Sequence, residues 1–265
     1  MTEMTGTLSL KDLTCGYGSP IIEGLSLDVA PGDTLCILGK NGIGKTTLFR
    51  TLLGTLKPLG GAVTLAGRDL FAMTARERAK QIAYVPQTHN PPFAYTAFEI
   101  VLMGRGGLLS AFSLPSANDK DLAAEAMEML GITHLASRPY TQVSGGERQM
   151  ILIARAVAQG AGFLFLDEPA ANLDYGNQMK VLGVLKTLAA AGKGVIFTSH
   201  DPGHALLLRA KVAAVRAGDD VVQGSGEDIV TKEMAQSLYG VRAEVITVED
   251  LERGQHVKVF APFLD

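Results

Sequence analysis

The length, composition and charge of the chain exclude several classes of protein. It has 265 residues, 47% of them hydrophobic, which is enough to bury one large core or a core with a smaller subdomain. The formal net charge is −3, so the balance indicates neither a nucleic-acid surface nor a polybasic anchor. Cys15 and Cys36 lack metal-site spacing and are too few for a disulfide scaffold. We expect a cytosolic protein without a secretory signal or membrane span.

The first part of the chain predicts strands that lead into a glycine-rich loop. Residues 7–17 and 24–30 alternate apolar and polar side chains, which is typical of half-buried strands. Residues 33–39 form an apolar run that ends at the loop, and from Lys45 the spacing is helical as far as Gly54. A buried strand, a glycine loop and a helix N-terminus in succession are the context that a phosphate-binding loop requires.

The rest of the chain predicts a parallel α/β core with a helical insertion. Residues 61–70 and 81–87 are extended, helical patterns follow, and buried strands return at FLFL and GVIF. The tail predicts further strands, one pair joined as a hairpin by AGDD and the last strand preceded by a short helix. We predict a single domain, 1–265, with a helical subdomain, 88–160, inserted in it.

The loop GKNGIGKT carries the residue types that bind a phosphate chain. Its glycines let backbone N–H groups point inward, and the following helix N-terminus adds positive potential. Lys45 can reach the terminal phosphates, and the Thr46 hydroxyl can bind Mg²⁺. A tight turn before a helix is the alternative, which the strand and helix context disfavours. The predicted nucleotide-binding residues here are Gly39, Lys40, Asn41, Gly42, Ile43, Gly44, Lys45, Thr46 and Thr47.

Two carboxylates follow a later buried strand, in FLFLDEP. Ligands of α/β sheets bind at the carboxyl ends of strands. We therefore predict that Asp167 holds Mg²⁺ through water and that Glu168 acts as the general base on the attacking water. Two solvated carboxylates at the start of a loop are the alternative, and the phosphate loop in the same chain favours the catalytic interpretation.

A second anion-binding helix N-terminus is predicted at Ser144, Gly145, Gly146 and Glu147. One nucleotide does not need two such sites. With this segment the chain resembles the ATP-binding cassette (ABC) family, whose signature sequence is usually LSGGQ. Val143 and Glu147 depart from that pattern but leave the serine hydroxyl and the two glycine amides in place. The added carboxylate is expected to weaken phosphate binding without abolishing it.

The resemblance extends over residues 7 to about 225 and implies roles for further residues. Tyr17 matches the aromatic that stacks on adenine, and Gln87 the glutamine that contacts Mg²⁺ and the attacking water. Asp174 matches a loop that crosses a dimer interface, and His200 the histidine that contacts the γ-phosphate. The other histidines match nothing in the family, and we expect surface or packing positions for His89, His134, His204 and His256.

The family implies a P-loop NTPase fold of the RecA-like type, with an N-terminal antiparallel β region and an inserted helical subdomain. It also implies an ATPase that uses ATP and Mg²⁺ in a head-to-tail homodimer, where each signature closes over ATP held by the partner. The segments TAFEIVLMGR and SGGERQMILIARAVAQ look like those of bacterial metal-chelate importers, for iron-siderophores, haem or cobalamin. An exporter cassette and a soluble non-transport ABC ATPase are the alternatives, whereas kinases and GTPases do not carry SGGE.

Such an ATPase implies partners that the chain itself does not contain. They are integral-membrane permease subunits and, indirectly, an extracytoplasmic substrate-binding protein, with the chain peripheral at the cytoplasmic face of the inner membrane. No nucleic acid is expected. Part of the apolar stretch 88–115 is predicted to form a groove for a permease helix, and filling of the helical subdomain is the alternative. Its apolar residues are Phe93, Tyr95, Phe98, Leu102, Met103, Leu108, Leu109 and Phe112.

Overall fold

Strands and helices alternate along most of the chain in the computed structural model, which describes residues 6–87, 94–109, 113–215, 221–250, 252 and 254–264. The strands are β1 (Leu8–Tyr17), β2 (Ser19–Val29), β3 (Thr34–Leu38), β4 (Gly60–Leu65), β5 (Arg68–Asp69), β6 (Ile82–Val85), β7 (Phe163–Leu166), β8 (Gly194–Ser199), β9 (Lys211–Val215), β10 (Val221–Ser225), β11 (Ala243–Asp250) and β12 (Gln255–Pro262). The helices are α1 (Lys45–Leu52), α2 (Ala75–Gln81), α3 (Ala97–Leu102), α4 (Ala117–Met129), α5 (Gly145–Gln159), α6 (Tyr175–Ala190), α7 (Pro202–Leu207), α8 (Gly226–Ile229) and α9 (Lys232–Tyr239). Among the described residues, none of these helices has both the length and the apolar character of a membrane span.

The described strands form three sheets. A four-stranded antiparallel sheet has the order β2-β1-β4-β5, which confirms the predicted N-terminal β region. A six-stranded sheet has the order β10-β9-β3-β8-β7-β6; it is parallel from β9 to β6, and β10 pairs antiparallel with β9 at its edge. The predicted AGDD turn between β9 and β10 lies outside the described residues.

Strand β3 lies inside the six-stranded sheet and is buried on both faces. Leu35 and Ile37 pack into a core shared with the N-terminal sheet and α1, whereas Cys36 and Leu38 pack into a second core formed with the helices. Successive side chains of a strand point to opposite faces, so a strand covered on both sides is a continuous apolar run. This explains why the sequence here lacks the alternation of β1 and β2.

Helices fill the described part of the connection between β6 and β7. Arg105 holds two of them together, because its guanidinium bonds Asp119 of α4 at 2.9 Å and the carbonyls of Ala158 and Gln159 at the end of α5. Each of α3, α4 and α5 begins with a capping box, formed by Thr96 and Glu99, Ser116 and Asp119, and Ser144 and Glu147. These helices lie in the range predicted for the inserted subdomain, whose boundaries, 88–160, stay a prediction.

The C-terminal strands β11 and β12 pair with each other as an antiparallel hairpin. The prediction of a helix before the last strand was wrong. The segment predicted to be helical begins inside β11, which continues to Asp250. The β-branched residues of 245–248 favour an extended chain here, and Val245 and Phe260 pack against the core formed with the helices.

Close packing between β7 and β8 predicts a strong effect of one glycine. Gly194 lies opposite Phe163, and a Cβ at this position would overlap the buried Phe163 ring. We expect Gly194→Ala to lower the free energy of unfolding by about 1–3 kcal/mol, because the added methyl group would force the closely packed strands apart. Gly183→Ala is the matched control, because Gly183 is exposed on α6 with nothing within 4 Å of the new Cβ; it should be neutral or stabilising by up to about 1 kcal/mol. Urea unfolding measures both, and equal stabilities would contradict the prediction.

Candidate nucleotide-binding site

The glycine loop connects the carboxyl end of β3 to the N-terminus of α1. Gly44 precedes the helix with φ of 114°, which a residue with a side chain rarely adopts. Gly39 follows the strand, and a Cβ there would lie 2.6 Å from the Ile43 side chain. The loop therefore closes tightly on itself and turns into the helix, as the sequence predicts for a phosphate-binding loop.

The Lys45 ammonium lies inside the loop. Its Nζ donates to the carbonyl oxygens of Gly39 at 2.6 Å and Lys40 at 3.3 Å. It also forms an ion pair with Glu168 Oε1 at 3.2 Å, and its side chain is only 6% exposed. The ammonium is thus held inside the loop by two carbonyl oxygens and one carboxylate.

Three predicted site residues converge on the Glu168 carboxylate. Lys45 contacts Oε1, while Gln87 Nε2 donates to Oε2 at 3.1 Å and His200 Nδ1 lies 3.7 Å from the same oxygen. Gln87 follows β6, Glu168 follows β7 and His200 follows β8, so each residue leaves a neighbouring parallel strand at the same edge of the sheet.

A residue that sequence reasoning did not identify, Thr198, joins the two predicted acidic residues. Its hydroxyl donates to Asp167 Oδ1 at 2.8 Å and accepts from the Glu168 backbone N–H at 2.7 Å. Asp167 itself is buried. The available signal was a hydroxyl residue directly after the apolar run GVIF, but its position next to Asp167 depends on the pairing of β7 with β8.

An open pocket of about 330 Å³ lies between the glycine loop and the acidic residues. Gly39, Lys40 and Ile43 belong to the loop but do not line this pocket. Predicted Tyr17 is 55% exposed at the turn between β1 and β2, and its hydroxyl accepts a hydrogen bond from Arg50. The lining residues are Ile21, Asn41, Gly42, Gly44, Lys45, Thr46, Thr47, Gln87, Asp167 and Glu168, of which Ile21 was not predicted.

The signature segment lies outside this pocket and starts helix α5. Ser144 is its N-cap, and Glu147 accepts hydrogen bonds from the Ser144 backbone N–H at 2.7 Å and hydroxyl at 2.8 Å. These two bonds lower the pKa of the Glu147 carboxyl. Glu147 is therefore part of a capping box, a role that its departure from the usual glutamine did not reveal. Gly145 and Gly146 form the first turn of the helix.

Asp174 also lies outside the pocket, as the N-cap of α6. Its carboxylate accepts from the Asn177 backbone N–H at 2.9 Å and from Asn177 Nδ2 at 2.6 Å, and these bonds lower its pKa. The Asn177 side chain lies directly against Gly146, where an added Cβ would overlap it. One asparagine thus connects the Asp174 loop to the signature segment within the chain.

The histidines outside the predicted site lie at packing or surface positions wherever the structure describes them. His204 is buried, its Nδ1 is 3.1 Å from Ser199 Oγ, and burial lowers its pKa, which agrees with a packing position. His134 and His256 are exposed, and His89 lies outside the described residues.

The apolar stretch predicted as a groove is only partly available for a partner. Three of its side chains are half-buried against the helical-side core, Met103 is 42% exposed, and Leu108 and Leu109 are half-buried. Phe93 and Phe112 lie outside the described residues. The three packed residues are Tyr95, Phe98 and Leu102.

Comparison with known proteins agrees with this geometry. The fold and pocket define a P-loop NTPase, and residues 22–171 match the family model for the ABC transporter. The chain therefore belongs to the ABC transporter family and is an ATPase of that family. The Hemin import ATP-binding protein HmuV of Gloeobacter violaceus is 36% identical over 236 residues, which cover 86% of this chain and 85% of the relative.

Two further similarities are to one import ATP-binding protein and to one solved transporter structure. The Iron(3+)-hydroxamate import ATP-binding protein FhuC of Bacillus subtilis is 32% identical over 243 residues, covering 91% of this chain and 90% of the relative. A solved structure of a metal-chelate type ABC transporter in an inward-facing conformation has a TM-score of 0.87 at 33% identity and covers 98% of both chains.

Proposed function

We propose that this chain is the ATP-hydrolysing subunit of a membrane importer for a metal chelate, such as a siderophore, haem or cobalamin. The observation that carries the hydrolytic role is the convergence of Lys45, Gln87 and His200 on Glu168 beside the glycine loop. The importer role is supported by the relatives named for hemin and iron-hydroxamate import, which are similar over most of their length.

In the proposed reaction Glu168 is the general base. A water molecule attacks the γ-phosphorus, Glu168 accepts its proton, and the bond from phosphorus to the bridging oxygen of ADP breaks. Lys45 and His200 stabilise negative charge on the γ-phosphate, and Gln87 orients the water. Tyr17, exposed at the turn between β1 and β2, stacks on the adenine.

The oxygen donors of the pocket fit Mg²⁺. In the part of the chain that the structure describes, no group of three or more His, Cys, Asp or Glu residues could hold a metal ion alone. The Thr46 hydroxyl, the Gln87 amide and the Asp167 carboxylate all line the pocket, and such hard donors suit an ion that keeps waters and phosphate oxygens as further ligands. When bound there, Mg²⁺ neutralises charge on the phosphates.

The second half of the site comes from a second copy of the chain. Ser144, Gly145, Gly146, Glu147 and Asp174 do not line the pocket that holds Lys45 and Glu168. A head-to-tail homodimer places the signature of one chain over the ATP held by its partner, so ATP joins the two chains and hydrolysis separates them. A ligand present at 100 times its Kd stabilises the state that binds it by about 2.7 kcal/mol per site.

Transport of a substrate across the membrane requires permease subunits in addition to this chain. We place the chain at the cytoplasmic face of the inner membrane, bound to permease subunits that receive the substrate from an extracytoplasmic binding protein. Part of the stretch after Gln87 contacts a permease helix, and Gln87 couples that contact to the state of the γ-phosphate.

The general-base role predicts a specific defect for Glu168→Gln. The amide cannot accept the proton of water, so turnover should fall about 10²- to 10⁴-fold while ATP binding persists. Steady-state phosphate release and ATP-analogue binding measure the two properties. Glu128→Gln, the same change at an exposed residue of α4, is the control and should behave as wild type. Wild-type turnover by Glu168→Gln would remove Glu168 as the base.

The composite site predicts different defects in its two halves. Lys45→Ala should abolish nucleotide binding by the monomer, because it removes the buried cation of the loop. Ser144→Arg should leave monomer binding intact and block ATP-dependent dimerisation. Fluorescent ATP-analogue titration and sedimentation measure these outcomes, with Lys57→Ala at an exposed position as the control for loss of a lysine. Equal loss of monomer binding in both variants would contradict a site shared between two chains.

The permease contact predicts that a charge in the apolar stretch blocks assembly. We expect Met103→Asp and Leu109→Asp to abolish permease association and transport while basal ATPase activity persists, because a charge in an apolar groove stays unpaired. Val241→Asp is the control, because it introduces the same charge at an exposed apolar residue outside this stretch, 37% exposed. This variant should associate with the permease normally. Co-purification with the permease is the measurement, and normal assembly of both folded variants would place the contact elsewhere.

A further inference from the structure

Thr198 is a buried residue that links the end of β8 to the acidic residues that follow β7. It lies on β8, and its side chain is fully buried. Strands β7 and β8 run parallel with Leu166 opposite Phe197, so Asp167 and Thr198 are the next residues along the two strands. The hydroxyl therefore lies beside the point where the chain leaves the sheet to form the acidic segment.

The hydroxyl uses both of its hydrogen-bonding capacities on that segment. It donates to Asp167 Oδ1 at 2.8 Å and accepts from the Glu168 backbone N–H at 2.7 Å. A threonine hydroxyl has one hydrogen, so donation to Asp167 leaves its lone pairs for the Glu168 N–H. Hydrogen bonds in such a chain polarise and strengthen one another. One oxygen atom thus fixes the carboxylate of the first residue and the main chain of the second.

The main chain of Glu168 needs such a support. Its φ is 46°, in the left-handed region that a residue with a side chain seldom adopts. Its carbonyl accepts a hydrogen bond from the Ala171 N–H at 3.0 Å, and its N–H is satisfied by Thr198. This conformation is the one in which the carboxylate reaches both Lys45 and Gln87.

We propose that Thr198 is a positioning residue for ATP hydrolysis, which holds Asp167 in orientation and Glu168 in its left-handed backbone conformation. The inference rests on the proposed roles of Asp167 and Glu168. Thr198 does not line the pocket about the glycine loop, so it acts through these two residues. The hydroxyl, rather than the volume of the side chain, is the part that matters.

The test compares three variants of purified protein. Thr198→Val keeps the shape and removes the hydroxyl, Thr198→Ser keeps the hydroxyl, and Thr51→Val removes a buried hydroxyl that donates to the Thr47 carbonyl at 3.2 Å in α1. We expect kcat to fall about 10- to 100-fold in Thr198→Val, the usual effect of losing a group that orients a ligand residue. The KM for ATP should stay within about twofold, since transition-state stabilisation is what is lost. Thr198→Ser should restore most of kcat, and Thr51→Val should retain it.

A second measurement does not depend on turnover. Mn²⁺ binding in the presence of a non-hydrolysable ATP analogue, followed by electron paramagnetic resonance, should weaken about 10-fold in Thr198→Val. Binding of the analogue in excess EDTA should be unchanged. An unchanged Mn²⁺ affinity would overturn the part of the proposal that concerns Asp167. If Thr198→Val does not fold, Thr198→Cys, with a weaker donor of similar size, should give intermediate kcat and Mn²⁺ affinity; wild-type values in that variant would overturn the proposal.

The outcomes separate this inference from the proposed function. Turnover by Glu168→Gln equal to wild type means that the assignment of the base is wrong. An inactive Glu168→Gln together with wild-type kcat in folded Thr198→Val means that only the role of Thr198 is wrong. A loss of kcat that Thr198→Ser shares in full would show that side-chain shape matters and would also overturn the proposal.

Discussion

Parallel pairing of β3, β8, β7 and β6 is the constraint on which the site depends. Parallel strands end at one edge of a sheet, so residues far apart in the chain leave the core together. The glycine loop follows β3, Gln87 follows β6, the acidic pair follows β7 and His200 follows β8. Apolar packing on both faces of the sheet keeps these ends in register, and hydrogen bonds and ion pairs among the polar groups then fix their orientations.

The pocket and the two helix starts that carry the signature and Asp174 occupy separate parts of the chain. The pocket collects the loop, Gln87 and the acidic residues, whereas the signature and the Asp174 loop occupy the starts of α5 and α6. Asn177 contacts both of these starts. A displacement of one helix start would therefore also move the other.

Much of the fold could be predicted because local patterns of apolar residues indicate its strands and helices. The apolar run before Gly39 and the helical spacing after Lys45 identify the loop without tertiary information. Thr198 could not be found in this way, since its role follows from pairing between β7 and β8. Glu147 was compared only with the family glutamine, although S-x-x-E is a capping-box pattern. A helix was wrongly predicted in part of the C-terminal hairpin, because a short charged segment shows only a weak periodicity of apolar residues.

The ion pair between Lys45 and Glu168 has a consequence for anion selectivity. A buried ammonium is costly without partners, and here two loop carbonyls and one carboxylate already satisfy it. An incoming anion must therefore exchange with these groups rather than meet an unpaired charge. A single small anion offers too few acceptors for that exchange, whereas a chain of phosphates also bonds the loop amides. The proposed polyphosphate ligand therefore has more oxygens with which to replace the carboxylate and carbonyl contacts of Lys45 than a simple anion has.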